Sequence, residues 1–115
     1  MIFLNHKKDV ESLYKLLNKE RHSVTYYHGG LTQVTRESTI LNFKSGKYQI
    51  LVATDLAGRG LDIKGVKYVI SLDCPKSLEQ YIHRAGRTGR AGKKGTCITF
   101  LTFENDFIFY DLVNF

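Results

Sequence analysis

Five short β-branched or apolar runs, each parted from the next by a helical pattern or a glycine-bearing loop, set the tightest limit on how this chain can fold. Ile2-Phe3-Leu4 reads as a fully buried strand closed by Asn5-His6, and Ser23-Val24-Thr25-Tyr26-Tyr27 as the next. Residues 49–53, 66–71 and 95–101 complete the set, with Ile50-Leu51-Val52, Lys67-Tyr68-Val69-Ile70 and Thr96-Cys97-Ile98-Thr99-Phe100 at their centres. Between them, residues 8–19 bring Val10, Leu13, Tyr14 and Leu17 to helical spacing, with Lys8, Asp9, Glu11 and Lys15 on the polar side. Thr32 is placed to cap a helix to about Lys44 that turns Ile40, Leu41 and Phe43 inward. Ser77 caps another through Leu78, Tyr81 and Ile82, and residues 104–114 form a last one with Phe107, Ile108, Tyr110, Leu112 and Val113. Strands alternating with helices predict an α/β fold, a parallel sheet flanked by helices on both faces.

A chain of 115 residues with 43% hydrophobic content suits one domain with its own core. A domain rarely begins on a central strand, so the opening at Ile2 leads us to expect a fragment of a larger chain, with residues 1–115 as one domain of it. The formal charge of +6 and pI near 9.4 favour an anionic partner, nucleic acid or nucleotide. Cys74 and Cys97 are too few and too distant for a metal or redox pair and read as core residues of a reducing interior. Phe103, Phe107, Phe109 and Phe115 are expected to pack rather than to stack on bases.

The chemistry concentrates in the segment Tyr81-Ile82-His83-Arg84-Ala85-Gly86-Arg87-Thr88-Gly89-Arg90-Ala91-Gly92. A charge run is ordinarily a solvated face. Here glycines separate the arginines, no acidic side chain neutralises them, and an apolar Tyr-Ile pair precedes them, which places the cluster where a buried helix ends. Guanidinium groups so spaced can grip a phosphate from two sides. A second segment, Thr54-Asp55-Leu56-Ala57-Gly58-Arg59-Gly60-Leu61-Asp62-Ile63, follows a buried strand, where ligands of open α/β sheets bind. A third is the His28-Gly29-Gly30 turn before the Thr32 helix, whose first turn carries Gln33 and Arg36 three residues apart on one face.

The arginine segment resembles the His-Arg-x-Gly-Arg-x-Gly-Arg signature of DEAD-box helicases of superfamily 2, where it belongs to the second of two RecA-like domains. The segment from Ala53 to Asp62 is similar to that family's Ala-Thr-Asp-x-x-Ala-Arg-Gly-x-Asp motif, with Gly58 where many members carry Ala or Ser, and Gln33 and Arg36 match its Gln-x-x-Arg element. The resemblance covers essentially the whole chain and implies a RecA-like parallel sheet. It implies that Arg87 and Arg90 reach the γ-phosphate of ATP, that Gly60 and Asp62 belong to the nucleotide site with Asp62 accepting a ribose hydroxyl, and that His83 takes part in catalysis. Gly29, Gln33, Arg36, Thr54 and Arg84 fall in the RNA-facing set, and His83 and Arg84 would also bridge to the acidic motif of an N-terminal RecA-like domain.

The chain contains no Gly-x-x-x-x-Gly-Lys-Ser/Thr loop and no Asp-Glu-Ala-Asp run, so ATP and Mg²⁺ would be held by that other domain, with an arginine finger supplied from here. The guanidinium groups of Arg87 and Arg90 are accordingly expected at the carboxyl ends of the strands. RNA would be met through its backbone, without regard to sequence. Asn5-His6-Lys7-Lys8, His28-Gly29-Gly30 and Phe109-Tyr110-Asp111-Leu112 look most like the family's tri-snRNP member, which acts at the 5′ splice site, implying spliceosomal partners and the nucleus, with the cytoplasm as alternative. Two other readings stay open: a non-catalytic RNA- or protein-binding module of this fold, and a superfamily 2 DNA helicase domain.

Overall fold

A computed structural model describes residues 1–55, 63–89 and 94–101. In chain order these form β1 (Ile2–Phe3), α1 (Lys7–Lys19), β2 (Val24–Tyr27), α2 (Gln33–Lys44), β3 (Ile50–Ala53), β4 (Tyr68–Ser71), α3 (Leu78–Ala85) and β5 (Thr96–Thr99). The strands make one sheet in the order β2-β3-β1-β4-β5, and every pairing is parallel. The helix expected over residues 104–114 and the four phenylalanines between Phe103 and Phe115 lie outside the described residues.

Strand side chains alternate between faces, and the two faces carry separate cores. Phe3, Tyr27, Leu51, Ala53 and Val69 point one way and are joined by Ile40 and Phe43 of α2. Leu4, Val24 and Val52 point the other way and meet Leu13, Tyr14 and Leu17 around the fully buried Val10 of α1. Helices therefore cover both faces, and the sequence pattern for α1 is realised residue for residue.

In α2 the pattern needs a correction. Leu41 is 66% exposed, whereas Thr39 is buried. Residues 39, 40 and 43 fall on one stripe of a helix turning about 100° per residue, and residue 41 falls outside it, so spacing overrides apolarity. The strand expected over residues 66–71 is shorter, because Val66 pairs with Thr88 as an isolated bridge instead of joining β4. Burial pushes the thiols of Cys74 and Cys97 up, which suits packing residues and not nucleophiles.

Both long helices stop in the same way. After α2, Gly46 at φ 87° sends its amide to Phe43 while Lys47 bonds back to Asn42. After α1, Arg21 at φ 66° bonds to Asn18 while His22 bonds back to Leu17. This is a six-to-one closure that wants a left-handed residue, and α1 fills the position with an arginine. Arg21→Gly is expected to raise the unfolding free energy by about 0.5–1 kcal/mol, read as a higher denaturant midpoint at unchanged slope. A lowered midpoint would show that the arginine side chain contributes more than its backbone costs.

The sheet has its switch point at β1. The chain leaves β1 towards β2 on one side, and leaves β3 towards β4 on the other. Crevices of this kind form beyond the carboxyl ends of the strands.

Candidate nucleic-acid interface

Three strand ends open on one cavity of about 520 Å³, lined by Asn5, His6, Lys7 and Lys8 after β1, His28 and Gly29 after β2, and Thr54 after β3. Cations, a glycine backbone and a hydroxyl come together there, a donor-rich surface suited to phosphate and ribose oxygens. α2 begins just past this turn: Thr32 Oγ1 accepts the Thr35 amide at 3.2 Å and fixes the first turn. On that turn Arg36 Nη2 donates to Gln33 Oε1 at 2.9 Å, and Gln33 Nε2 donates to Glu37 Oε1 at 3.0 Å. The expected pairing of Gln33 and Arg36 on one face is present. Arg36 Nε is buried with no hydrogen-bond partner among the described residues.

Arg84 holds the strand ends in place. Ser77 caps α3 through the Gln80 amide, and Gln80 Oε1 reaches back to the Lys76 amide at 2.8 Å. The helix then delivers Arg84 under the Phe3 ring, 5.3 Å from its centroid, at 1% exposure. Its Nε and Nη2 each donate to Asp55 at 2.7 Å in a bidentate fork, Nη1 donates to the Asp73 carbonyl at 2.7 Å, and Nη2 also donates to Asn5 Oδ1 at 2.7 Å. Asn5 adds bonds from its amide to Asp73 Oδ2 at 2.7 Å and from Nδ2 to the Cys74 carbonyl at 3.0 Å. One guanidinium thus ties β1, β3 and β4 at their carboxyl ends. Arg84, expected as an RNA contact and a bridge to another domain, has every guanidinium nitrogen engaged within this lobe and buried.

The arginine cluster is consequently split. α3 runs about 12 Å over its eight residues, and the loop after it is fastened near the amino end of β4. The Val66 amide donates to the Arg87 carbonyl at 3.1 Å, the Arg87 and Thr88 amides bond to Arg84 and Ala85, and the Thr88 hydroxyl bonds to the Val66 carbonyl. The Arg87 backbone therefore sits away from the carboxyl edge expected for it, because α3 starts at that edge after β4 and carries the chain back from it. Its side chain is half-buried, not projected into bulk solvent. Gly89, at φ 70°, takes a conformation open to glycine at little cost, whereas Gly86 is an ordinary right-handed helix end. His83 stands half-buried on the last turn of α3. Gly60, Asp62 and Arg90 lie outside the described residues. Among the described residues no cluster of side chains could hold a metal ion, and no helix is long and apolar enough to cross a membrane.

A five-stranded parallel sheet with a cationic, glycine-bearing cavity at its carboxyl edge and an arginine helix locked across it defines a RecA-like lobe of the kind that helicases carry second. The particular family follows from comparison: this chain belongs to the helicase conserved C-terminal domain family, which matches residues 1–92, and it is of the DEAD-box type. It is 51% identical over 112 residues to the probable ATP-dependent RNA helicase DDX23 of Homo sapiens, an alignment covering 97% of this chain and 14% of that protein. It superposes on the yeast DEAD-box splicing factor Prp28 with a TM-score of 0.91 at 38% identity, covering 98% of this chain and 25% of Prp28. Dbp5 of S. cerevisiae, in a structure bound to RNA and ADP BeF3, superposes with a TM-score of 0.84 at 36% identity, covering 98% of this chain and 30% of Dbp5. The chain thus spans a small part of the length of each relative.

Proposed function

We propose that this chain works as the second lobe of an ATP-dependent RNA helicase of the DEAD-box type: its carboxyl edge binds single-stranded RNA through the backbone, and its arginine loop supplies positive charge to a nucleotide held by an amino-terminal lobe of the same polypeptide. The observation that carries the RNA half is the convergence of Lys7, Lys8, Gly29 and Thr54 on one cavity. Arg36, with a buried guanidinium nitrogen unsatisfied, lies one helical turn beyond the Gly29 turn and adds a charge-assisted donor for phosphate. Similarity to relatives named as ATP-dependent RNA helicases supports ATP as the nucleotide.

The residues present fit half of a nucleotide site. Arg87 is a cation on a loop pinned at both of its backbone ends, which suits a finger, but the sequence lacks a phosphate loop or acidic motif for ATP and Mg²⁺. Bound at the junction, ATP would supply the phosphoryl group whose hydrolysis drives the cycle. Arg87, with Arg90, would stabilise charge on its γ-phosphate, His83 would assist from the end of α3, and Gly60 and Asp62 would face the ribose. RNA edge and arginine loop lie on different parts of the lobe, so each ligand can bridge the two lobes at a separate place. Two ligands that each favour the closed pair reinforce one another's binding. Resemblance to Prp28, a splicing factor, favours pre-mRNA splicing, hence a nuclear location and spliceosomal partners.

The test is a titration of the isotopically labelled chain with oligouridylate. Amide shifts are expected at Lys7, Lys8, Gly29, Gln33, Arg36 and Thr54 and not along β5. Affinity should fall with salt at a logarithmic slope of about −2, as for three neutralised phosphates on a single strand. Equal affinity for oligodeoxyuridylate would favour the DNA-helicase reading, and shifts elsewhere would sink the assignment of the edge.

A further inference from the structure

His28 is buried, and the RNA and nucleotide roles proposed above do not use its imidazole. Its Nδ1 accepts the Gly30 amide at 2.9 Å, two residues on. Its Nε2 stands 3.4 Å from Glu11 Oε1 of α1, a contact without hydrogen-bond geometry. The ring also lies against Tyr26, centroids 5.7 Å apart, and Tyr26 in turn against Tyr14 at 4.6 Å. One ring nitrogen is thus engaged within the turn, while the other nitrogen and one face meet elements outside it. The fit is tight on the remaining side: a Cβ at residue 30 would come within 2.9 Å of His28 Cε1 and 3.0 Å of Nδ1. Glycine at position 30 therefore answers to the ring rather than to the backbone, whose φ there is not positive.

We infer that His28 is a positioning residue for RNA binding: its Nδ1 closes the His28-Gly29-Gly30 turn in the shape that presents Gly29 to the RNA backbone, and Glu11 with Tyr26 keeps the ring in that orientation. The turn bridges two parts of the cavity, since Gly29 lines it and the Lys7 side chain passes 3.7 Å from the position of a Gly30 Cβ. A shift of the turn would move a glycine contact and a lysine contact together. The inference rests on the RNA reading of the carboxyl edge.

The discriminating series is His28→Asn, His28→Gln and His28→Ala in this chain, probed with oligouridylate and by hydrogen exchange at the Gly30 amide. Asparagine sets its Oδ1 near the place of Nδ1 and can accept the Gly30 amide, glutamine carries its oxygen one bond too far, and alanine has no acceptor. Expected is wild-type affinity within about twofold for His28→Asn, and a loss of about tenfold for His28→Gln and His28→Ala with faster Gly30 exchange, the scale of one hydrogen bond. Unchanged affinity in His28→Ala with accelerated Gly30 exchange would overturn the inference, as would a loss in His28→Asn equal to that in His28→Ala while Gly30 stays protected. If the unsubstituted chain bound no oligouridylate, the RNA reading would fall. Gly30 exchange, fast in His28→Ala and restored in His28→Asn, would then still support the turn assignment, and exchange equal in all variants would overturn it.

Discussion

In a helicase that carries this chain as its second lobe, Arg87→Ala or Arg90→Ala is expected to lower ATP turnover by about 10³- to 10⁵-fold, the range that separates phosphoryl transfer with and without an arginine finger. The loss should appear in kcat with RNA affinity nearly retained, because the RNA edge and the arginine loop are held by different bonds. The loop is fastened through the Arg87 carbonyl, the Arg87 and Thr88 amides and the Thr88 hydroxyl, none of which Arg87→Ala removes. Truncation therefore deletes charge while the loop keeps its place. Lysine at position 87 should restore little, since a point charge cannot copy the planar fork. Turnover within about twofold of the unsubstituted enzyme in both alanine variants would remove the finger from the mechanism.

The second large effect belongs to Arg84, and its readout is stability. Arg84→Ala leaves Asp55 without its bidentate partner and frees Asn5 and the Asp73 carbonyl at once. Breaking a pair whose guanidinium is 1% exposed should cost about 3 kcal/mol of unfolding free energy. Arg84→Lys should recover only part, because one ammonium cannot reach three strand ends. Thr54 neighbours Asp55, and Asn5 neighbours the His6-Lys7-Lys8 segment, so RNA affinity should fall in step with stability. A denaturation midpoint unchanged by Arg84→Ala would mean that the network is satisfied by water at no cost.

Local pattern made most of the scaffold legible. The β-branched and apolar runs at Val24–Tyr27 and Ile50–Ala53, the stripe of Val10, Leu13, Tyr14 and Leu17, and the caps at Thr32 and Ser77 each depend on neighbours a few residues apart, and each is realised. What the sequence did not make legible depends on distance or rotation. Leu41 was placed inward by its apolarity although the turn of the helix gives that place to Thr39. Arg84 looked like one more cation in a basic run, because its partners Asn5, Asp55 and Asp73 stand far off in sequence and become visible once the sheet order brings β1, β3 and β4 side by side. The same holds for the surroundings of His28: the Gly-Gly pair after it marked a turn, yet nothing local announced that Glu11 of another element would stand beside the ring that closes it. The grouping of Gly29 and Thr54 at the strand ends was legible because the loops of a parallel sheet gather there, whereas the position of Arg87 depended on α3 running back from that edge.

The central claim is that this lobe contributes charge and RNA contacts to a nucleotide site whose phosphate cradle lies on another lobe. Hydrolysis of ATP by the purified chain of 115 residues, measured with and without RNA, and again after linkage to an amino-terminal RecA-like lobe of a DEAD-box protein, tests it most directly. No turnover is expected from the chain alone, and RNA-stimulated turnover that Arg87→Ala abolishes is expected from the linked pair. Turnover by the isolated chain, or turnover in the pair indifferent to Arg87→Ala, would contradict it.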